Sequence, residues 1–473
     1  MTERALLIRN AELLSTDGCC SYQDVRVVNG TIQAIGTIRP VDSDQIIDAN
    51  RCLLLPGLQD HHVHLMSFAA SLNSVRCGPP EVNTEDELSA CLNSQSGTDW
   101  LRGNGYHESV MPNLDRHWLD NNGPDRPIRL QHRSGRLWIL NTAGLDIIRS
   151  ASAKFSSLDR RRLLSDDGRL YDVDELLGRL TRAEPLAISQ ASKQLAAYGI
   201  TGINDMTPSN DLQTWDGFAE MQSSNQLLQK VRLSGRAELA DAQACMVDSQ
   251  LTLGETKVHL HDSSLPELST LIDSIARSHD VNRNVAIHCV TEVELVFGLA
   301  AFREAGVRAG DRIEHASVVP PALVEQLLEL RLGVVTQPNF LYERGDAYLK
   351  DIPCEEHAFL YRVASLVKAG VPVAFGTDSP FGSADPWVAI KAAVDRRTLA
   401  GEVLGGQECI TSESALKGFL GELADPFTLR AVTPGEPADL CLLDLPWKNL
   451  STDLSSTHVR MTIRDGELIY SRE

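Results

Sequence analysis

The chain has 473 residues, of which 42% are hydrophobic and 23% charged, the composition of a folded globular protein rather than a disordered one. Its net charge of −20 argues against nucleic acid or an anionic membrane as a partner, because both bind clustered lysine and arginine. No window approaches the roughly 18 consecutive apolar residues that mark a membrane span, so we expect no transmembrane helix.

The first residues and the cysteines predict a compartment. The N-terminal stretch has no long apolar run and no small-residue cleavage site, which argues against a secretory signal. The ten cysteines are scattered without a CxxC pair, which favours reduced thiols. We therefore expect a cytoplasmic protein.

Both ends of the chain are rich in short β segments, at 5–14, 24–28, 31–38 and 45–48, and again at 438–443, 459–464 and 467–470. The Asn29-Gly30 and Asp465-Gly466 steps are typical of hairpin turns. We predict a small β-sandwich-like domain made of residues 1–55 and 425–473, with a larger domain of residues 56–424 between them.

The middle of the chain alternates strand-like and helix-like segments. The eight candidate strands are 58–64, 128–132, 202–205, 257–261, 285–288, 312–315, 333–337 and 371–376. This alternation predicts an α/β fold of the (β/α)8 TIM-barrel type, with a doubly wound open sheet as the alternative. Segments near 66–125 and 145–182 exceed normal connection lengths, so we expect insertions there.

The most informative stretch begins at Pro56-Gly57 and ends in His62-Val63-His64. Alternate residues of a strand point to the same face, so the two histidines aim at one point. A strand can offer two imidazoles to one metal ion in this way. A solvated pair, or a pair satisfied within the core, is the alternative.

Polar residues also end the later candidate strands. The fourth carries Lys257, His259 and His261 on one face, while the fifth, sixth and eighth end near His288, His315 and Asp378. Strand carboxyl ends form the active-site rim of a TIM barrel. A single histidine at a strand end is usually a buried, hydrogen-bonded residue. Several histidines and an aspartate at the ends of strands that share one rim, however, predict a metal centre. Imidazole and carboxylate donors without thiolate suit zinc, with iron, manganese, cobalt or nickel as alternatives.

These motifs resemble the metal-binding pattern of the amidohydrolase superfamily over nearly the whole chain: Pro56-Gly57-Leu58-x-Asp60-x-His62-x-His64, His288, Glu314-His315 and Gly376-Thr377-Asp378. Segments 100–108, 126–130 and 198–206 further resemble the amidohydrolase-3 branch, which includes N-substituted formamide deformylases. The resemblance implies a barrel flanked by a split β domain. It also implies a hydrolase acting on carbon–nitrogen bonds other than peptide bonds.

The resemblance also implies the metal ligands, which are His62, His64, Lys257, His288, His315 and Asp378. The first two and Asp378 would bind one ion, and His288 and His315 a second, most simply two zinc ions per chain. Lys257 matches the lysine that many members carry in N6-carboxylated form, because a carbamate anion can bridge two cations. A free lysine that serves as a charge partner is the alternative.

The mechanism implied is attack on the substrate carbonyl by a metal-activated hydroxide. Asp378 would act as general base and acid, taking a proton from water and delivering it to the leaving nitrogen. His259 and His261 are candidate substrate contacts or replacement ligands, or else ordinary rim histidines.

One segment departs from the branch pattern, since Arg136 stands where the branch has histidine, with His132 nearby. Arg136 would clamp a substrate carboxylate or form a structural salt bridge. Asn339 and Tyr342, which follow the seventh strand, would line the barrel mouth or face solvent.

Two other functions remain open. A deaminase of the same superfamily usually binds one metal and has a glutamate three residues after the fifth-strand histidine, where this chain has Thr291 followed by Glu292. The other alternative is a non-catalytic scaffold protein of the same superfamily that has lost its metal. For the hydrolase, we expect a small-molecule substrate, which would be an amide, a formamide or a cyclic amide. The resemblance to the superfamily also implies a homodimer.

Overall fold

The computed structural model describes residues 5–14, 20–42, 44–180, 186–245 and 250–472. The chain divides into two compact units: a barrel unit, Met1–Leu65 with Ser189–Glu473, and an inserted unit, Met66–Ile188. Among the described residues, no helix combines the length and the apolar composition that crossing a bilayer requires.

Eight parallel strands form the central sheet of the barrel unit, and each pairs with the next one along the chain. They are β1 (Leu58–Val63), β2 (Ile200–Asp205), β3 (Lys230–Gly235), β4 (Leu251–His259), β5 (Val285–Cys289), β6 (Arg312–His315), β7 (Gly333–Thr336) and β8 (Val373–Phe375). Val63 forms a parallel bridge with Ser379, and the Asp378 N–H donates to the His62 carbonyl over 2.7 Å. These contacts return the end of β8 to β1, which confirms the TIM barrel over an open sheet.

Helices alternate with the barrel strands, and several of them bury apolar side chains against the strands. The helices of the barrel unit are Ile188–Ala197, Leu212–Ser223, Leu268–Asp280, Glu292–Ala305, Pro321–Leu330, Asn339–Asp351, Val363–Ala369, Pro386–Asp395, Ser412–Lys417 and Trp447–Leu450. Leu271 and Ile275 lie one turn apart on their helix and share a buried cluster with Ile287 of β5 and Ile313 of β6. This four-residue spacing places both side chains on one face, as an amphipathic helix requires.

The two ends of the chain build two four-stranded sheets. In spatial order, the first contains Thr31–Gly36, Cys20–Val28, Ala5–Leu14 and Asp44–Asp48, and the second contains Glu467–Ser471, Val459–Arg464, Leu440–Leu443 and Leu54–Pro56. Ile8 and Val25 from the first sheet share one buried cluster with Leu440 and Ile463 from the second. This shared core confirms the small β domain formed by N- and C-terminal segments.

Both predicted hairpin turns are confirmed. Val28 pairs with Thr31 across Asn29-Gly30, whose φ angles are 50° and 81°. The turn at Asp465-Gly466 has φ angles of 47° and 74°. Two successive positive φ angles are the geometry of a tight hairpin turn, which Asn, Asp and Gly adopt most readily.

The inserted unit contains a five-stranded sheet of its own. Its strands, in spatial order, are Arg169–Tyr171, Leu137–Leu140, Ile128–His132, Leu101–Tyr106 and Val75–Arg76. Its helices are Glu85–Asn93, Arg116–Asn122, Thr142–Ala151, Ser157–Arg162 and Asp174–Leu180, and helix Leu65–Leu72 leads into it. The two expected insertions, near 66–125 and 145–182, therefore fall within one compact unit.

The prediction that 128–132 is a barrel strand is wrong, because Ile128–His132 pairs with Leu101–Tyr106 and Leu137–Leu140 in this second sheet. The barrel strand that sequence reasoning missed is β3. Its charged residues Lys230 and Arg232 are typical of a surface segment, so the sequence did not indicate a barrel strand here. In the structure, Lys230 forms ion pairs with Asp439 and Asp465.

Candidate metal centre

Two histidines and an aspartate converge at the mouth of the barrel. One ligand atom from each of His62, His64 and Asp378 lies within 4.8 Å of the others. The Oδ1 atom of Asp378 is 3.1 Å from Nε2 of His64 and 3.6 Å from Nε2 of His62. The structure thus brings together residues that begin and end the barrel.

Asp60 fastens β1 to the loop that follows β8. Its carboxylate accepts from the Thr377 N–H over 3.0 Å and from the Thr377 hydroxyl over 2.5 Å. It also accepts from the His62 N–H over 3.2 Å. Burial raises the pKa of Asp60 to about 6. These bonds explain why an aspartate stands two residues before His62: it fixes the backbone on both sides of the cluster.

Two of the predicted metal ligands lie in the left-handed backbone region. The φ angle of Asp378 is 55° and that of His315 is 71°. Aspartate and histidine adopt this conformation more readily than most residues, although at some cost. At the first position, the hydrogen bond from the Asp378 N–H to the His62 carbonyl helps to hold this backbone conformation.

A second group of side chains adjoins the first. The His315 ring centroid lies 4.7 Å from that of His62 and 4.3 Å from that of His288. Lys257, on β4, is only 6% exposed. Nζ of Lys257 and Nε2 of His315 are buried without a hydrogen-bond partner in the part of the chain that the structure describes. Buried polar atoms rarely stay unsatisfied, so the site fits a bound group that these atoms contact.

In three of these imidazoles, Nδ1, the ring nitrogen directed away from the cluster, contacts an oxygen atom. The Nδ1 contacts are His62 with Glu314 Oε2 at 2.6 Å, His64 with Thr207 Oγ1 at 2.8 Å and His315 with Gln337 Oε1 at 2.7 Å. The Glu314 carboxylate and the Gln337 carbonyl oxygen can only accept, so they keep the proton on Nδ1 of His62 and His315 and leave Nε2 with a lone pair. The Thr207 hydroxyl can accept as well, which permits the same tautomer at His64. This tautomer is the one that a metal-ligating histidine requires.

The protonation states agree with that role. Burial lowers the pKa of His315 to about 4 and holds the pKa values of His62 and His288 well below the usual range. These rings are therefore neutral near pH 7. Burial also lowers the pKa of Lys257 to about 8. Burial alone would raise the pKa of Asp378, but the contact with His64 and the nearby histidines lower it overall, so this carboxylate is ionised.

Behind His62 lies a buried chain of charges that sequence reasoning did not identify. Arg312 donates from Nε to Glu314 Oε1 over 2.6 Å, and its Nη1 lies 2.9 Å from Glu255 Oε1. All three side chains are at most 1% exposed. The sequence did contain a signal for this ion pair, because Arg312 and Glu314 are opposite charges at alternate positions of one predicted barrel strand. Arg312, which is itself paired with Glu255, holds the Glu314 carboxylate that orients His62.

His259 and His261 lie beside the second group. The His259 ring centroid is 4.1 Å from that of His288 and 4.2 Å from that of His261. His259 is exposed and His261 is half-buried. Both histidines therefore extend the row of imidazoles toward solvent, and a substrate contact at either one stays a prediction.

The candidates after β7 differ in environment. Asn339 is fully buried, and its Nδ2 donates to the Thr377 carbonyl over 3.1 Å, so it supports the loop that carries Asp378. Tyr342 is 38% exposed. Substrate contacts by these two residues stay predictions.

His132 and Arg136 belong to the inserted unit. Arg136 forms a bidentate pair with Asp172, with two N–O distances of 2.7 Å. This is the structural salt bridge that was the alternative to a substrate clamp. His132 contacts Glu108 through Nε2 at 3.0 Å. A substrate contact by either residue stays a prediction.

The donor set fits a metal centre. It combines neutral imidazoles, an ionised carboxylate and a buried lysine, and it contains no thiolate. Such nitrogen and oxygen donors suit zinc and related divalent ions. The first ion would be held by His62, His64 and Asp378, and the second group offers His288, His315 and Lys257.

Comparisons with known proteins identify the family of the chain. The family model described as "Amidohydrolase family" matches residues 45–470. The chain is 25% identical to an N-substituted formamide deformylase from Arthrobacter pascens, over 99% of both chains. It is 20% identical to a putative amidohydrolase from Bacillus subtilis, over 90% of each chain.

The fold also matches solved structures. A metal-dependent hydrolase from Pyrococcus horikoshii superimposes with a TM-score of 0.75 at 19% identity, covering 96% of this chain and 100% of that one. The chain therefore belongs to the amidohydrolase family of metal-dependent hydrolases, which confirms the prediction of a hydrolase acting on carbon–nitrogen bonds other than peptide bonds.

Proposed function

We propose that the chain hydrolyses the carbon–nitrogen bond of a small amide, formamide or cyclic amide at a binuclear metal centre. The observation that carries this proposal is the juxtaposition of two donor groups. His62, His64 and Asp378 form one group, and the His315 ring, 4.7 Å from that of His62, joins it to the second. The buried amine of Lys257, without a partner among the described residues, supports a bridging role.

The ligand assignment follows from the chemistry of the donors. His62, His64 and Asp378 would hold one ion, and His288 and His315 the other. Lys257 would bridge them as an N6-carboxylated residue, since a neutral amine cannot bridge two cations whereas a carbamate anion can. We propose zinc for both positions, with iron, manganese, cobalt or nickel as alternatives.

A bound metal supplies Lewis acidity, which lowers the pKa of a coordinated water and polarises a substrate carbonyl. The remaining steps belong to the chain. The Asp378 carboxylate accepts the proton of the attacking water and delivers it to the leaving nitrogen. Glu314 keeps the His62 ring oriented, and the Asp60 hydrogen bonds hold Asp378 in position.

A deaminase is disfavoured by the residues that follow His288. Thr291 caps the helix Glu292–Ala305, and its hydroxyl accepts from the Glu294 N–H over 3.2 Å. Glu294 accepts in turn from the Val290 and Asp262 N–H groups. Glu292 is exposed. The glutamate that a deaminase would use for proton transfer is therefore absent from its expected position, where Thr291 stands.

The experiment is a substrate screen on chain reconstituted with zinc and bicarbonate. N-substituted formamides come first, because of the similarity to an N-substituted formamide deformylase. N-acyl amines and cyclic amides follow, and aminated heterocycles test the deaminase. We expect turnover of a carbonyl-amide class with about two metal ions per chain. Ammonia release from heterocycles with about one ion would favour the deaminase, and a chain that binds no metal would favour the scaffold.

A cytoplasmic location and a homodimer are further parts of this proposal.

A further inference from the structure

A second cluster of metal-ligand side chains lies within the inserted unit. Its strands Leu101–Tyr106 and Ile128–His132 are parallel neighbours, so their carboxyl ends lie at the same edge of the sheet. His107 and Glu108 directly follow the first strand, and His132 is the last residue of the second. The fold therefore brings two imidazoles and a carboxylate together from separate parts of the sequence.

The three side chains converge on one carboxylate oxygen. Nε2 of His132 is 3.0 Å from Oε2 of Glu108, and Nε2 of His107 is 3.7 Å from the same oxygen. The two rings stack with centroids 5.8 Å apart. One ligand atom from each residue lies within 4.8 Å of the others. The histidines are 20% and 13% exposed and the glutamate 44%, so an ion can reach them from solvent.

Each ring is supported in the same way from behind. Nδ1 of His107 lies 2.9 Å from the Ser109 hydroxyl, and Nδ1 of His132 lies 2.7 Å from the Ser134 hydroxyl. A His-x-Ser spacing thus occurs at the end of both strands. These contacts fix the orientation of each ring and direct both Nε2 atoms toward Glu108.

The serine hydroxyls permit two tautomers. The backbone N–H of each serine also points at Nδ1, at 3.2 Å for Ser109 and 3.1 Å for Ser134. With that bond made, Nε2 carries the proton and donates it to Glu108. A hydroxyl can also accept, so its rotation supports the other tautomer, in which Nδ1–H donates to the serine and Nε2 has a free lone pair. That tautomer binds metals.

We propose that His107, Glu108 and His132 form a separate metal site for a divalent ion of the zinc class. Two imidazoles and one carboxylate would bind the ion, and solvent would complete its coordination. The ion would tie together the ends of two neighbouring strands. Because it binds only the folded arrangement, it would stabilise the inserted unit. This site is independent of the hydrolysis proposed for the barrel.

The test uses the full chain with its barrel centre loaded. Zinc is titrated in competition with a chromophoric chelator, and the bound zinc is counted. We expect the unsubstituted chain to bind about one zinc more than a His107→Ala/His132→Ala variant. His117→Ala removes an exposed histidine of the same unit and serves as the matched control. Equal zinc binding by the double variant and this control would overturn the proposal.

Variants with little risk to folding test the ligand geometry. In Ser109→Ala and Ser134→Ala, the hydroxyl that accepts from Nδ1–H is gone, and the backbone N–H favours the tautomer that cannot bind zinc. We expect the affinity for the additional zinc to fall about 10- to 100-fold. A simple ion-pair cluster would leave zinc binding unchanged in both variants, and that result would contradict the assignment.

A third measurement separates this site from the barrel centre. His62→Ala/His64→Ala removes two barrel donors, and we expect it to retain the additional zinc. A zinc-soaked crystal should show an anomalous difference peak between His107, Glu108 and His132. Loss of the additional zinc in the barrel variant, or no peak at this position, would overturn the proposal without bearing on the hydrolase function.

Discussion

Oε2 of Glu314 lies 2.6 Å from Nδ1 of His62, and both side chains are fully buried. This contact fixes which ring nitrogen faces the barrel mouth. Arg312 holds the same carboxylate through its other oxygen, so the orientation of the imidazole depends on a charge network extending away from the centre.

Replacing Glu314 with glutamine is expected to weaken metal binding about 10- to 100-fold, as for other partners of metal-ligating histidines. The amide can still accept from Nδ1–H, but it lacks the charge that makes the ring a stronger ligand. Metal retained during dialysis against increasing chelator measures the effect. Glu329→Gln is the control, because that side chain is 70% exposed. Equal retention by both variants would show that Glu314 does not tune the site.

Asp378→Asn is expected to reduce turnover by at least about 10²- to 10⁴-fold, the usual contribution of a general acid or base. The fold should survive, because asparagine tolerates a φ of 55° and keeps the backbone bond to His62. Turnover, metal content and thermal unfolding are measured together. Asp273→Asn, on an exposed helix position, is the control. Activity close to that of the unsubstituted chain would exclude Asp378 as the proton carrier.

Lys257→Ala is expected to lose activity and to bind fewer metal ions, because the proposed carbamate bridge is gone. Zinc with a short carboxylic acid, such as acetate or propionate, should restore part of the activity by supplying an anion in the space left by the side chain. Carbon-13 bicarbonate should give a carbamate signal in the unsubstituted chain and none in the variant. Lys391→Ala, at a position 59% exposed, is the control. Full metal content and activity in Lys257→Ala would rule out the bridge.

Gly376→Ala tests how tightly the end of β8 approaches His62 of β1. A Cβ at this position would lie 2.4 Å from Cβ of His62 and 2.6 Å from its backbone nitrogen. We expect a loss of about 1–3 kcal/mol in the free energy of unfolding, together with weaker metal binding. Gly217→Ala is the control, since its Cβ would meet nothing within 4 Å on a helix. Equal stability of the two variants would contradict the close approach.

Local pattern was enough to predict several features. The alternation of His62 and His64 predicted that both would face one point, and the structure brings their Nε2 atoms near Asp378. The Asn29-Gly30 and Asp465-Gly466 steps predicted tight turns, because few other residues adopt two positive φ angles in succession. These predictions succeeded because each depends on interactions between residues close in sequence.

Sheet membership was not available from the same reasoning. Ile128–His132 and Lys230–Gly235 are both short strands, and only the second joins the barrel. The identity of a strand's partners depends on chain segments far away in sequence. The partners of Lys230, which are Asp439 and Asp465, come from the far end of the chain. From sequence alone, a charged residue is predicted to be exposed. Only the structure shows whether an oppositely charged partner allows it to be buried.

The sequence by itself determined the chemical character of this protein: imidazole and carboxylate donors at strand ends, a barrel pattern and a β domain shared by both ends. Side-chain type and the period of a strand are local properties, and they predict which groups a strand presents. The tertiary structure decided which of those groups meet. Asp378 reaches His64, Glu314 orients His62, and His107 meets His132, because all the strands of a parallel sheet bring their carboxyl ends to one edge. Those pairings depend on how distant strands associate, which local sequence does not encode.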